Sequence, residues 1–241
     1  MAGFDQPTST TDRHSIAASI AGIAGIVQFA VCVAIARSRF PSNFVWSRNF
    51  LSELGKSSQP SAFLYNTSVF SLGICLIVFF AVQKQVTSSV FRICGMTSAA
   101  GLAGLGLTPM DRLMDLHNLC LAIWLLPMLG VVLSQFSNSS GALVTIRMIG
   151  ILLLVFVVLY VFSAGTIVAP WTQKLVVVAG ICWLLMLILI VMHHSLRIVT
   201  RLTAGDDKRT RRYIERLETT GIYGPDGKSS GNIRPNPSPP E

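Results

Sequence analysis

Six long apolar segments dominate this chain and constrain its fold more than any other feature. They lie near residues 15–36, 63–83, 91–108, 117–135, 147–169 and 174–195. A helix needs roughly 20 consecutive apolar residues to cross about 30 Å of hydrocarbon, and the six segments come close to that length or exceed it. Only 12% of the residues are charged and 51% are hydrophobic, far from the composition of a soluble protein. The sequence therefore predicts an all-α fold, a polytopic membrane bundle of six transmembrane helices.

The rest of the chain forms polar ends. Residues 1–14 are a predicted cytoplasmic leader, 15–195 the six-span transmembrane domain, 196–220 a basic juxtamembrane segment, and 221–241 a Pro-, Gly- and Ser-rich tail predicted to be disordered. The first apolar segment is too long for the core of a signal peptide, which has about 7–15 residues, so we interpret it as an uncleaved helix. Within the basic segment, residues 197–218 have the pattern of an amphipathic helix on the inner leaflet.

The net charge of +8 is concentrated at one end of the chain, because nine of the 19 Lys and Arg residues lie from Arg197 onward. Such a cluster beside an apolar segment favours anionic lipid headgroups as partners over nucleic acid. Six spans place both termini on one side, which carries 13 basic residues against six on the other. The positive-inside rule then predicts a cell-membrane protein with cytoplasmic termini. This count depends on the C-terminal tail. Without the tail's nine basic residues, the side of the termini carries four Lys and Arg residues and the other side carries six.

The third apolar segment is the least hydrophobic and contains a run of small residues over 99–106. Small residues allow helix backbones to approach closely in lipid. We therefore expect the third helix to lie at the centre of the bundle.

Two polar stretches, 49–55 and 109–117, fall on the same predicted side of the membrane. They carry Glu53, Asp111, Asp115 and His117, with Arg48 and Arg112 as expected counter-charges. Carboxylates and imidazole are the groups that bind a divalent metal or exchange protons, so Glu53, Asp111 and His117 are the candidate catalytic residues. The same three and Asp115 are the candidate metal ligands. These residue types indicate no particular cofactor. A divalent metal ion is one option, but the pattern does not favour it.

Structural explanations of the same residues remain open. Asp111 and Asp115 precede the fourth segment, where carboxylates cap a helix and complement its dipole. Ser52 beside Glu53 permits a nucleophilic triad with His117, but no Gly-x-Ser-x-Gly elbow surrounds it and a capping role is favoured. His193 and His194 end the sixth segment on the opposite face, too far away to join this cluster.

The polar stretches also carry a family resemblance. The run Leu51-Ser-Glu-Leu-Gly55 with Pro60, Phe63 and Asn66, and later Pro109, Asp111 and His117, resembles domain of unknown function 998. That family consists of multi-pass bacterial and archaeal membrane proteins, and the resemblance covers about residues 15–195. It implies an integral membrane protein with no established activity, and Glu53 stands where the family usually has Asp. The layout is loosely similar to the six-span Frag1/DRAM/Sfk1 group, which is linked to lipid handling and membrane trafficking. It is more distantly similar to alkaline ceramidase-type hydrolases, but the last span lacks their His-x-x-x-His.

Three functional hypotheses follow. The leading one is an integral membrane protein that binds or senses lipid through an extracytoplasmic polar face. The alternative is a membrane-embedded hydrolase or lipid-modifying enzyme using Glu53, Asp111 and His117. A small-solute transporter is third, since the spans carry almost no charge between their ends. The expected partners are membrane lipids, with a second copy of the chain as a further option.

Overall fold

The computed structural model describes residues 9–41, 44–83, 88–135 and 144–219; for 9–12, 201–211, 213–214 and 216–219 it describes the backbone alone. Within these residues the chain forms six α-helices and no strand. The helices are α1 (Ser9–Ser38), α2 (Ala62–Val82), α3 (Ser89–Leu107), α4 (Met114–Ser134), α5 (Val144–Ser163) and α6 (Ala169–Thr219). A short 3-10 turn, Leu51–Gly55, interrupts the connection between α1 and α2.

All six predicted spans are confirmed as helices long and apolar enough to cross a membrane. The all-α fold and the multi-pass architecture are therefore as the sequence predicted. The third helix also packs tightly, as its small residues indicated. A Cβ atom at Gly101 would overlap the backbone nitrogen of Trp124, so α3 and α4 touch backbone to backbone at this point. Only glycine permits this approach, which is how small residues hold helices together in lipid.

The prediction was wrong about the connection between the last two spans. The fifth helix ends at Ser163 rather than 169, and the sixth begins at Ala169 rather than 174. Gly165 has a φ of +79°, a left-handed conformation that breaks the helix. Pro170 lies in the first turn of α6, where a missing N–H costs nothing, so it begins this helix instead of belonging to a link. Lys174, which the sequence places at the edge of the sixth span, therefore lies inside α6.

The chain divides into two units, Met1–Leu196 and Arg197–Glu241. In the second unit the residues up to Thr219 are helical, as the amphipathic pattern predicted. Their contact with a membrane leaflet stays a prediction. The predicted disordered tail, 221–241, and most of the predicted leader lie outside the described residues.

The core of the first unit is apolar. Its largest fully buried side chains include Phe79 of α2, Ile146 and Leu153 of α5, and Trp183 and Ile188 of α6. At one end of the bundle a polar cluster joins α1, α6 and the C-cap residue of α2, where the hydroxyl of Ser15 donates to Gln83 Oε1 at 2.7 Å and lies 2.9 Å from the Ser195 hydroxyl. The three connections 39–61, 108–113 and 164–168 come together at the other end, which we name the loop face.

Candidate functional site

Hydrogen bonds tie the long 39–61 connection to the rest of the loop face. The backbone N–H of Leu51 donates to Gln173 Oε1 at 2.8 Å, and Lys174 Nζ donates to the carbonyl oxygen of Asn49 at 2.5 Å. Both acceptor–donor pairs span more than 120 residues of sequence. These bonds join the first polar stretch to the start of α6.

Glu53 stabilises the turn in which it lies. Its Oε1 accepts the backbone N–H of Phe50 at 3.0 Å, and its Oε2 accepts Asn49 Nδ2 at 3.0 Å. Lys56 Nζ lies 3.5 Å from the same Oε2. The cation that pairs with Glu53 is thus Lys56, and not Arg48 or Arg112 as the sequence suggested. The carboxylate closes the 3-10 turn as a local cap would.

Asp111 joins two connections of the loop face. Its Oδ2 accepts the hydroxyl of Ser57 at 2.6 Å and its Oδ1 accepts the Ser57 backbone N–H at 3.0 Å. These bonds, the hydroxyl first and the backbone N–H second, lower the pKa of the Asp111 carboxyl because they stabilise its ionised form. The predicted capping role for Asp111 is wrong, since α4 begins after Leu113 with no side-chain cap.

Asp115 and His117 lie inside the first turn of α4, not before it, because the helix begins at Met114. Asp115 there complements the helix dipole, as predicted. His117 Nδ1 lies 2.7 Å from the carbonyl oxygen of Thr108. Because a carbonyl only accepts, Nδ1 must carry the proton, and in the neutral ring Nε2 is then an acceptor.

The three candidate residues of the predicted site therefore have separate partners. Glu53 binds its own turn, Asp111 binds Ser57, and His117 binds Thr108. In the described parts of the chain, no group of three or more His, Cys, Asp or Glu side chains is placed to hold a metal ion.

Two of the hollows among the described residues lie beneath the loop face. The central cavity, of about 70 Å³, lies among the helices and is lined by apolar residues together with Ser52, Tyr65, His117 and Gln173. The second, which we name the α1/α6 groove, has about 320 Å³ and lies between residues 29–37 of α1, residues 174–181 of α6 and the 39–61 connection. The two share four lining residues: Phe29, Leu51, Val177 and Ile181.

Two cations stand at the end of the α1/α6 groove nearest the loop face. Lys174 is only 4% exposed, and its Nζ donates to the carbonyl oxygens of Asn49 and, at 2.9 Å, Pro170. Arg37, at the last turn of α1, is exposed. The Arg37 guanidinium lies 5.1 Å and Lys174 Nζ 5.6 Å from the ring centroid of Trp46, so one indole holds both charges by cation–π attraction.

Lys174, Arg37 and Trp46 are not among the candidate site residues that the sequence predicted. A signal existed for Lys174, because it is a lone cation four residues after Pro170 at the start of the most apolar segment. Arg37 and Trp46 carried no comparable signal, since interfacial Arg and Trp residues are common in membrane proteins.

Comparison with known proteins finds one family. The model of the family described as "Protein of unknown function (DUF998)" matches residues 23–190. No curated protein and no solved structure matches the chain. The match covers more than half of the chain, with all of α2 to α5 and parts of α1 and α6. The chain therefore belongs to the DUF998 family.

Proposed function

We propose that this protein binds a membrane lipid in the α1/α6 groove, with the acyl chain between the two helices and the headgroup at the loop face. The observation that carries the proposal is an apolar groove of about 320 Å³ ending at the buried amine of Lys174 and the exposed Arg37. An apolar channel with charge at one end matches an amphiphile, whose polar and apolar parts lie at opposite ends.

The dimensions agree with this ligand. A volume of 320 Å³ falls within the range of ligand sites, about 300–1,000 Å³. The groove follows residues 29–37 of α1, a rise of about 12 Å at 1.5 Å per residue, which is long enough for part of one acyl chain. The central cavity, at about 70 Å³, is too small for a chain and has room for a few water molecules or a small group.

Lipid reaches the groove from the side. Ala30 and Ala34 of α1 are exposed, as are Val178 of α6 and Trp46 of the connection. In a six-span protein such surfaces face hydrocarbon or its boundary, and Trp46 is suited to the boundary because indole is apolar with one polar N–H.

The proposal places the protein in the cell membrane with cytoplasmic termini, so that the groove opens toward the outer leaflet. The excess of basic residues on the side of the termini supports this orientation. An impermeant thiol reagent applied to intact cells should label Ser58→Cys and not Ser229→Cys, in a background whose native cysteines are replaced. Labelling of Ser229→Cys alone would reverse the orientation.

Photocrosslinking tests lipid binding directly. The purified full chain is reconstituted with a phospholipid carrying a diazirine in its acyl chain, irradiated, and digested for peptide mapping. Crosslinks should concentrate at residues 29–37 and 174–181. Ala34→Trp should fill the groove and remove most of them. Ala24→Trp is the matched control, because Ala24 is also exposed on α1 but does not line the groove.

Uniform crosslinking of all lipid-facing helices would contradict the proposal, since ordinary boundary lipid gives that pattern. Equal loss of crosslinks in Ala24→Trp and Ala34→Trp would contradict it too. Both variants are compared with the wild type by thermal unfolding, so that a folding defect is recognised.

A second candidate function is ester hydrolysis by Ser52 and His117 in the central cavity. Both side chains line this cavity, and the bond from His117 Nδ1 to Thr108 leaves Nε2 as the acceptor that a general base requires. A fluorophosphonate probe tests it: labelling should be lost in Ser52→Ala and His117→Ala and kept in Ser58→Ala. Absence of labelling in the wild-type protein, or its persistence in Ser52→Ala, excludes the serine mechanism.

A further inference from the structure

We propose that the α1/α6 groove selects an anionic phospholipid, and that Arg37 and Lys174 recognise the negative charge of its headgroup. This inference rests on the proposed lipid binding and names the class of lipid. It follows from an imbalance of charge around one aromatic ring at the end of the groove.

Two positive charges converge on Trp46. The Arg37 guanidinium and Lys174 Nζ lie within 6 Å of its ring centroid, and Lys174 Nζ is also 5.7 Å from the centroid of Phe44. Bringing like charges together next to an apolar groove is unfavourable unless something offsets them. The aromatic faces offset part of this cost, and an anion between the cations would offset more.

The acidic residues of the loop face do not supply that anion. Glu53 attracts Lys174 through space, but its two carboxylate oxygens already accept from Phe50 and Asn49, and it is paired with Lys56. The carboxylate of Asp111 is held by Ser57, and Asp115 lies in the first turn of α4. The connections and helix ends of this face carry six Lys and Arg residues against these three acids, so the net charge is positive.

The donors that remain suit an oxyanion such as a phosphate group. Lys174 Nζ donates to two carbonyl oxygens and, as an ammonium with three N–H groups, has one left. Arg37 presents a planar fork of N–H groups, the arrangement that binds phosphate oxygens in pairs.

A further hollow beside Arg37 gives the headgroup its space. It has about 420 Å³ and is lined by Ala34, Arg37, Ser38, Phe40 and Phe44, three of which also line the groove. Arg37 therefore lies between an apolar groove and a more polar hollow. A soluble anion would fill only the hollow, whereas an anionic phospholipid fills both, and for this reason we assign the phospholipid as occupant.

The test compares two lipids with the same acyl chains. The purified full chain is reconstituted in nanodiscs containing equal amounts of phosphatidylglycerol, which is anionic, and phosphatidylcholine, which is zwitterionic. After release into mild detergent, native mass spectrometry counts the lipids that remain bound. The wild type should retain phosphatidylglycerol over phosphatidylcholine by about tenfold, the preference expected of one charge-assisted contact.

Arg37→Gln should bring this preference close to one, and Arg37→Lys should keep most of it because the charge remains. Arg39→Gln is the matched control, since it removes the same charge from the same helix end but Arg39 does not line the groove. Lys174 is left unchanged because it holds the 39–61 connection through Asn49.

The outcomes separate this inference from the proposed function. Equal retention of the two lipids by the wild type, with crosslinks still concentrated in the groove, overturns the headgroup selection alone. A preference that falls equally in Arg37→Gln and Arg39→Gln also overturns it, since the effect is then one of general surface charge. Loss of the groove crosslinks themselves overturns both proposals.

Discussion

The packing of Gly55 against α2 offers the sharpest test of the loop face. Gly55 ends the 3-10 turn, and its carbonyl oxygen accepts Asn66 Nδ2 at 2.9 Å. A Cβ atom at Gly55 would overlap Asn66 Oδ1 and lie 2.8 Å from Tyr65 Cδ1. Gly55→Ala should therefore force the turn away from α2, even though alanine needs no unusual backbone angle at this position.

The cost has two parts. Displacing Asn66 loses its hydrogen bond to Gly55, a net contribution of about 0.5–1.5 kcal/mol. Overpacking a close-packed position costs about 1–3 kcal/mol in addition. We therefore expect Gly55→Ala to reduce the free energy of unfolding by about 2–4 kcal/mol. The same shift should move Ser52 and Leu51, which line the central cavity.

Thermal unfolding of the purified protein in detergent measures the effect, with Gly180→Ala as the control. At Gly180 a Cβ atom would lie 3.9 Å from Leu153 Cδ1 and 4.0 Å from Met128 Cε, which is ordinary van der Waals contact. This control should be neutral or more stable, because alanine favours a helix over glycine by about 1 kcal/mol.

A double-mutant cycle with Asn66→Ala identifies the cause. In Gly55→Ala/Asn66→Ala the overlap with Asn66 is gone and the hydrogen bond is lost only once. The combined loss of stability should therefore be smaller than the sum of the two single losses by about 1 kcal/mol or more. Unchanged stability of Gly55→Ala, or strict additivity in the cycle, would refute the packing argument.

Three further predictions concern single contacts. Lys174→Met removes the donor to the Asn49 carbonyl and should lower the free energy of unfolding by about 1–3 kcal/mol; a melting temperature equal to that of the wild type would contradict this. The Asp111 carboxyl has a lowered pKa in the folded protein, so its contribution to stability is fully present above the unfolded pKa of about 3.9 and is lost as the pH falls through the folded value. The protection factor of the Ser57 amide against hydrogen exchange, which corrects for the intrinsic pH dependence, should fall over that acidic range in the wild type and already be lower at neutral pH in Asp111→Asn; equal protection in both proteins would argue against the tether. Gly101→Leu should separate α3 from α4 at Trp124 and destabilise the protein by about 1–3 kcal/mol or more in the same unfolding assay, and a neutral result would exclude the close backbone contact.

The order of segments along the chain already predicts that Glu53, Asp111, Asp115 and His117 lie on one face, because an even number of helices between two connections returns the chain to the same side. The residue types alone are compatible with metal binding, catalysis and helix capping. Which partner each side chain has depends on atoms distant in sequence, as for Asp111 and Ser57, which are 54 residues apart.

The sequence alone determined the class of the fold. Lipid offers no hydrogen bonds to the backbone, so each long apolar segment had to become a helix, and the number of segments determined the architecture. The limits of the apolar segments set most helix ends. The departures were the start of α1 at Ser9, the start of α4 at Met114, and the connection between α5 and α6, where a glycine and a proline lay close together.

Only the tertiary structure decided which side chains converge. Lys174 is one cation in an apolar segment until Asn49 and Trp46 are brought to it from the 39–61 connection. The α1/α6 groove likewise exists only because the first and last helices are neighbours in the bundle. Helix formation is local, and hydropathy therefore reveals it, whereas a binding site is a convergence of residues that only packing brings together.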